Sequence, residues 1–164
     1  MHNYRINSYL KIIFFISSIS IISALFVEYA LGYQPCNLCL IQRIPYALCI
    51  ILIFLNYFQK KNEKFIILLL ILTFSFSTLI SFYHFGIEQG FFEESTVCAT
   101  KNASDIISKE ELLKQLEIKT VSCKDVTFRI FGFSLTTINI LISLFLVIMS
   151  IKVYKNYEKL KKKS

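Results

Sequence analysis

The chain is predicted to be an all-α integral membrane protein, a four-helix bundle with two outward loops, the second long and carrying a short amphipathic helix. Three observations predict this. Of 164 residues, 55% are hydrophobic and 16 are phenylalanine, more apolar surface than one soluble core of this size can hide. Four long stretches are almost free of charge. Most basic residues flank those stretches instead of interleaving with a polar face, so the net charge of +7 reads as membrane topology and sets nucleic acid aside as a partner.

The first span runs from about residue 12 to 31, uncharged from Ile12 to Val27, with Glu28 near its exit. It reaches the roughly 20 residues that a hydrocarbon core about 30 Å thick requires. The basic, apolar start (Arg5, Lys11) also resembles a signal peptide. Glu28-Tyr29-Ala30-Leu31-Gly32-Tyr33 is a poor cleavage site, however, and the segment is expected to stay attached. A first outward loop, 32–43, leads to a second span over about 44–59, which borrows Leu40 and Ile41 while Arg43 reaches toward the interface. An arginine at the bilayer centre would cost about 2.5 to 3.5 kcal/mol, so Arg43 and its neighbours belong near the surface. Cys49, inside this span, reads as a small buried hydrophobe.

A basic turn, 60–64, precedes the third span over about 65–85, which ends at His84. The second outward loop, 86–132, is polar. The fourth span covers about 133–151, and a tail, 152–164, carries six lysines. The tail, Arg5, Lys11, Lys60, Lys61 and Lys64 give one side 11 basic residues, against seven on the other (Arg43, Lys101, Lys109, Lys114, Lys119, Lys124, Arg129). The positive-inside rule then puts both termini in the cytoplasm. Cys36, Cys39, Cys98 and Cys123 all face outward, where disulfides persist.

Gln34-Pro35-Cys36-Asn37-Leu38-Cys39 through Arg43 is the candidate redox centre. Two cysteines separated by two residues can close a small, reducible disulfide, and a helix opening there would favour the thiolate of the first. Pro35 suits such an opening. Arg43, four residues after Cys39 and seven after Cys36, would share a helical face with both and set a cation beside a thiolate. The motif alone is also compatible with half a zinc site or with two inert buried thiols.

The shared side shifts that balance. Four cysteines allow three pairings, and spacing favours Cys36 with Cys39 and Cys98 with Cys123, the latter closing a long loop. Two disulfides on one face of the membrane can exchange electrons. A plain loop staple and a four-thiolate zinc site are the competing readings, the second disfavoured by an oxidising compartment, and no metal is assigned. Between Cys98 and Cys123, Ser108-Lys109-Glu110-Glu111 has the form of a capping box, with Ile107 and Leu112 as the matching staple. A short helix to about Leu116 is expected to rest on the membrane surface.

Four spans, an outward Gln-Pro-Cys-x-x-Cys-x-x-x-Arg opening the second, and a long outward loop with a cysteine near each end resemble the DsbB family of bacterial disulfide-generating membrane proteins. Tyr83-His84-Phe85-Gly86-Ile87-Glu88 and Gly132-Phe133-Ser134-Leu135 are similar to family segments after span three and at the start of span four. The chain departs from the family in having no tryptophan; Phe128 and Ile138 stand where relatives often carry it.

The resemblance implies a quinone-dependent oxidoreductase of the bacterial inner membrane. It would reoxidise a periplasmic, DsbA-like thioredoxin-fold protein and pass the electrons to ubiquinone or menaquinone in the lipid. The reduced donor would attack Cys98, with Cys123 helping to resolve the mixed disulfide; Cys36 would exchange with Cys123, and Cys39 would serve the quinone. Arg43 and His84 are the candidate quinone-binding residues, Arg43 stabilising the Cys39 thiolate and charge developing on quinone oxygen. His84 reads equally well as an interfacial histidine facing headgroups, and Glu88 as a solvated carboxylate. A DsbA-like donor at about −120 mV can be oxidised by few protein disulfides, so an acceptor of higher potential is required. A vitamin-K-epoxide-reductase-like enzyme and a non-enzymatic scaffold with structural disulfides are the alternatives.

Overall fold

The computed structural model describes residues 2–58, 62–93, 122–124, 129–130 and 133–162. Among the described residues, four helices carry the fold: α1 His2–Tyr29, α2 Asn37–Phe58, α3 Glu63–Glu88 and α4 Leu135–Lys161. Each contains a segment of 22 or more residues long and apolar enough to cross a membrane. In hydrocarbon every backbone N–H and C=O must be satisfied within the segment, which leaves the helix as the solution for isolated apolar runs. The loop helix expected at Ser108–Leu116 lies outside the described residues, as does Cys98.

The helices pack in a closed ring, α1 on α2, α2 on α3, α3 on α4 and α4 back on α1, with α3 against α4 the most extensive contact. Lipid tails are as apolar as leucine, so close backbone approach, more than apolar burial, holds such a bundle together. The interior accordingly contains small residues: Ser17, Ser77, Ser81, Ser143 and Ser150 are buried among Ile13, Ile67, Leu70, Phe74 and Leu146. Ser81 and Ser150 donate to the carbonyls of Ser77 and Leu146, four residues back, which satisfies a hydroxyl inside a span without a second helix. Many other large side chains point outward. Phe15, Phe26, Phe54, Phe76, Leu79 and Phe82 are all more than half exposed, the pattern of a surface solvated by lipid.

Three features shape the end of the bundle that holds the cysteines. Gly32, at φ +73°, turns the chain between α1 and α2, and Gly90, at φ +76°, reverses it after α3; both lie in the left-handed region that costs other residues about 1 kcal/mol or more. After Gly90 the chain folds back so that Phe92 stacks on Tyr83 with centroids 5.6 Å apart. Finally, Arg129–Ile130 and Phe133–Ser134 pair antiparallel as β1 and β2 and lead directly into α4. Ser134 caps that helix, its Oγ accepting from the Thr137 amide at 3.2 Å. At the opposite end, Lys64 Nζ lies 2.6 Å from Glu158 and ties the start of α3 to the last turns of α4.

Candidate thiol-exchange site

Helix α2 starts earlier than the apolar run alone suggests. Residues 37–43 contain Asn37, Gln42 and Arg43 and read as loop by hydropathy, yet they form the first two turns of the helix. Cys36 makes this possible by acting as the N-cap. Its carbonyl accepts from the Leu40 amide at 3.2 Å, and its Sγ accepts from the Cys39 amide at 3.3 Å, the place a serine or aspartate oxygen usually takes. The sulfur thereby sits at the positive end of the helix dipole.

Cys39 follows one turn on, and the two sulfurs are 2.8 Å apart, both as free thiols. His84, from the last turn of α3, places Nε2 3.5 Å from Cys36 Sγ. Cys36, lying just before the span, is held far below its usual value of 9.0, at about 4. The Cys39 thiol donating to it is the main cause, opposed by burial and reinforced by His84. Cys36 also packs in one buried cluster with Leu38, Ile87 and Cys123, and Cys123 is disulfide-bonded.

A thiolate at Cys36 has a consequence for reactivity. A thiol with the ordinary midpoint gains about tenfold in alkylation rate per pH unit below it. With its midpoint near 4, Cys36 is already ionised at neutral pH. In the reduced protein, its alkylation by iodoacetamide, read by site-resolved mass spectrometry, is therefore expected to be flat between about pH 6 and pH 8. A tenfold rise per unit would show that the thiolate is not formed.

Behind the sulfurs lies a polar network inside the helix bundle. Gln42 Nε2 is 3.1 Å from His84 Nδ1, and Gln42 Oε1 accepts from Asn139 Nδ2 at 3.0 Å. Asn139 also donates to Ser81 Oγ at 2.7 Å and accepts from the Tyr46 hydroxyl. Gln42 and Tyr46 lie on α2 and Asn139 on α4, so this chain of bonds crosses the bundle on its diagonal. Glu88 is not the solvated carboxylate expected from the sequence. Its side chain is 5% exposed; it accepts from Ser134 Oγ at 2.7 Å and Thr136 Oγ1 at 2.5 Å, at the N-terminus of α4. Those hydroxyls and the helix dipole replace the water it loses. His84 likewise faces the protein interior, not headgroups, with 2% exposure.

Arg43 differs from expectation in its partner. It pairs with Glu28 near the end of α1, and among the described residues it makes no hydrogen bond to either sulfur. The reason is geometric: α1 and α2 are neighbours, and Glu28, the one acid in the first span, reaches the guanidinium across that interface. Cys49 is buried in the core, with Ser17 Oγ 3.5 Å from its Sγ.

A cavity of about 340 Å³ opens beside the sulfurs, within the usual size range of small-molecule sites. Cys36, Cys39, Gln42, Arg43, His84, Glu88 and Cys123 line its polar end, and Ile19, Val27, Leu135, Ile138 and Ile142 line its apolar wall. Five of the six residues singled out from the sequence thus meet at one cavity; Cys98 lies outside the described residues. Glu28, Gln42, Thr136 and Asn139 were not anticipated. A signal for the last two existed, because Thr136 and Asn139, three apart, put two polar groups on one face of an apolar span. Cys36, Cys39 and His84 bring three donor atoms within 4.8 Å of one another. Two thiolates on a tetrahedral zinc, however, stand roughly 3.8 Å apart given Zn–S bonds of about 2.3 Å, so the close sulfur pair fits disulfide chemistry better than a metal.

The fold and site together define a multi-pass membrane protein with a vicinal thiol pair at one end of a four-helix bundle. Residues 7–153 match the family model "Disulfide bond formation protein DsbB", and the chain belongs to that family. Membership places it among disulfide-bond-forming membrane thiol oxidoreductases. The chain is also similar to "Uncharacterized protein RP370" of Rickettsia prowazekii (strain Madrid E), 28% identical over 135 residues that cover 81% of this chain and 78% of the relative. No solved structure matches the chain at a significant level.

Proposed function

We propose that this protein is a quinone-linked dithiol oxidase that reoxidises a DsbA-like thioredoxin-fold protein outside the cytoplasm. One observation carries the reading: Cys36, Cys39 and the disulfide-bonded Cys123 converge at the wall of a cavity that also presents Arg43 and His84. The donor's two thiols reduce the Cys98–Cys123 disulfide. Donor thiolate attacks Cys98, Cys123 leaves as thiolate, and the donor's second thiol resolves the mixed disulfide, so the donor leaves oxidised and the loop pair reduced. The Cys123 thiolate then attacks the Cys36–Cys39 disulfide at Cys36, forming Cys36–Cys123 and releasing Cys39 as thiolate toward the cavity. Cys98 closes the loop disulfide again by displacing Cys36, whose stabilised thiolate is a good leaving group.

The residues at the cavity fit a quinone, with an apolar wall for its ring and a guanidinium and imidazole for its oxygens. When bound, the quinone supplies a two-electron, two-proton acceptor of high potential. The cycle would close as Cys36 and Cys39 re-form their disulfide, Cys39 being the cavity-lining sulfur that gives up the electron pair, while Arg43 would hold the acceptor's oxygen and the bundle would keep water from its ring.

The protein lies in the bacterial inner membrane with both termini in the cytoplasm, supported by the 11-to-7 distribution of basic residues. Topology tests the reading first. A reporter active only outside the cytoplasm is expected to be active when fused after Asn102 and silent after Lys61. The opposite pattern would place all four site cysteines among reducing thiols and end the proposal.

A further inference from the structure

The hydrogen-bond chain behind His84 has a direction that simple hydrogen counting fixes. Ser81 has one hydroxyl hydrogen, and it goes to the Ser77 carbonyl at 2.8 Å, an atom that can only accept. Ser81 Oγ must therefore accept from Asn139, so the Asn139 atom 2.7 Å away is its amide nitrogen. The other Asn139 hydrogen points to Gln42 at 3.0 Å, which makes that atom the Gln42 oxygen and turns the Gln42 amide nitrogen toward His84 Nδ1 at 3.1 Å. The Tyr46 hydroxyl, donating to the Asn139 oxygen, closes the same assignment.

From this geometry we infer that Asn139 and Gln42 are positioning residues that hold His84 in the tautomer with its proton on Nε2, aimed at Cys36 Sγ. Nδ1 receives the Gln42 hydrogen and cannot carry its own. Thr136 Oγ1, 3.3 Å from Nδ1, spends its hydrogen on Glu88 and so offers Nδ1 no competing donor. Nε2–H then donates to Cys36 at 3.5 Å, stabilising the thiolate that must leave when the loop disulfide re-forms. Among the described residues, the ionisable groups around the ring are Cys36, Cys39 and Glu88, whose Oε1 is 3.9 Å from Nε2. The inference rests on the proposed function only for its redox consequence.

Asn139→Asp reverses the chain. With two acceptors at position 139, Gln42 must turn its nitrogen toward the carboxylate and its oxygen toward Nδ1, which moves the ring proton to Nδ1 and leaves a lone pair facing Cys36. The chain has two histidines, so full-length, reduced, ¹⁵N-histidine-labelled His2→Asn protein in detergent reports His84 alone. The expected spectrum is a single Nε2–H tautomer, replaced by Nδ1–H in Asn139→Asp and by a tautomer mixture in Gln42→Leu. Losing the donor destabilises the reduced pair. Its midpoint in thiol buffers, measured with Cys98 and Cys123 both replaced by serine, is therefore expected to fall by at least about tenfold in equilibrium constant, close to 30 mV for two electrons.

An imidazolium or an Nδ1–H tautomer in the protein with Asn139 and Gln42 intact overturns the inference. So does an unchanged tautomer in folded Gln42→Leu, which remains informative if Asn139→Asp does not fold. An Nε2–H tautomer beside a pair that never exchanges with thiols supports the positioning roles and instead retires the proposed function.

Discussion

Cys39→Ser is expected to abolish quinone reduction while the protein still forms a mixed disulfide with a reduced thioredoxin-like donor, and Cys98→Ser is expected to do the reverse. Each loss should be on the order of 10⁴-fold or more, the scale on which removing a reacting group acts. The asymmetry follows from the positions of the sulfurs. Cys39 lines the cavity on the first turn of α2, whereas Cys98 belongs to the loop proposed to meet the donor. With Cys39 gone, the Cys98–Cys123 disulfide remains open to attack. With Cys98 gone, Cys36 and Cys39 can still exchange electrons with quinone. Cys49, buried beside Ser17, takes no part, and Cys49→Ala should leave both steps intact. Equal loss of donor trapping in both serine variants would break the proposed order of transfer.

Arg43→Lys is expected to raise the apparent KM for quinone by about tenfold, roughly 1.4 kcal/mol, with little change in donor trapping. The guanidinium is already paired with Glu28 across the α1–α2 interface, and its planar fork keeps further N–H donors available at the cavity. Lysine can keep the ion pair and the interfacial position, because its stem also snorkels. It cannot serve a carboxylate and a quinone oxygen through one rigid fork. Glu28→Gln should therefore produce a smaller rise in KM, since it loosens Arg43 without removing it. Unchanged quinone kinetics in a properly inserted Arg43→Lys protein would reduce Arg43 to a tie between two helices.

The spans were legible because charge is nearly absent from four runs of sufficient length, and the bilayer leaves such runs a single backbone solution. The thiol pair was legible from its spacing, with Arg43 and His84 as neighbours. What escaped was the origin of burial for polar groups. Glu88 reads as solvated until Ser134 and Thr136, 46 and 48 residues later in sequence, supply its hydrogen bonds. Gln42 reads as part of a loop because a hydropathy profile cannot register a sulfur acting as helix cap. The partner of Arg43 is 15 residues upstream on another helix, and local spacing suggested the nearer sulfurs. Ser81, His84 and Glu88 fall at i, i+3 and i+7 of one span, so the inward polar face of α3 was present in the sequence, whereas its partners on α2 and α4 follow only from how the helices pack.

The most direct measurement uses the purified full-length chain in detergent, kept anaerobic, with excess quinone and a reduced thioredoxin-like protein. Quinone absorbance and donor thiols are followed together. The account requires one quinone reduced for each donor disulfide formed, at a rate that collapses when Cys39 is replaced by serine. Donor oxidation with no quinone consumed, or an inert protein that binds zinc stoichiometrically, would contradict it.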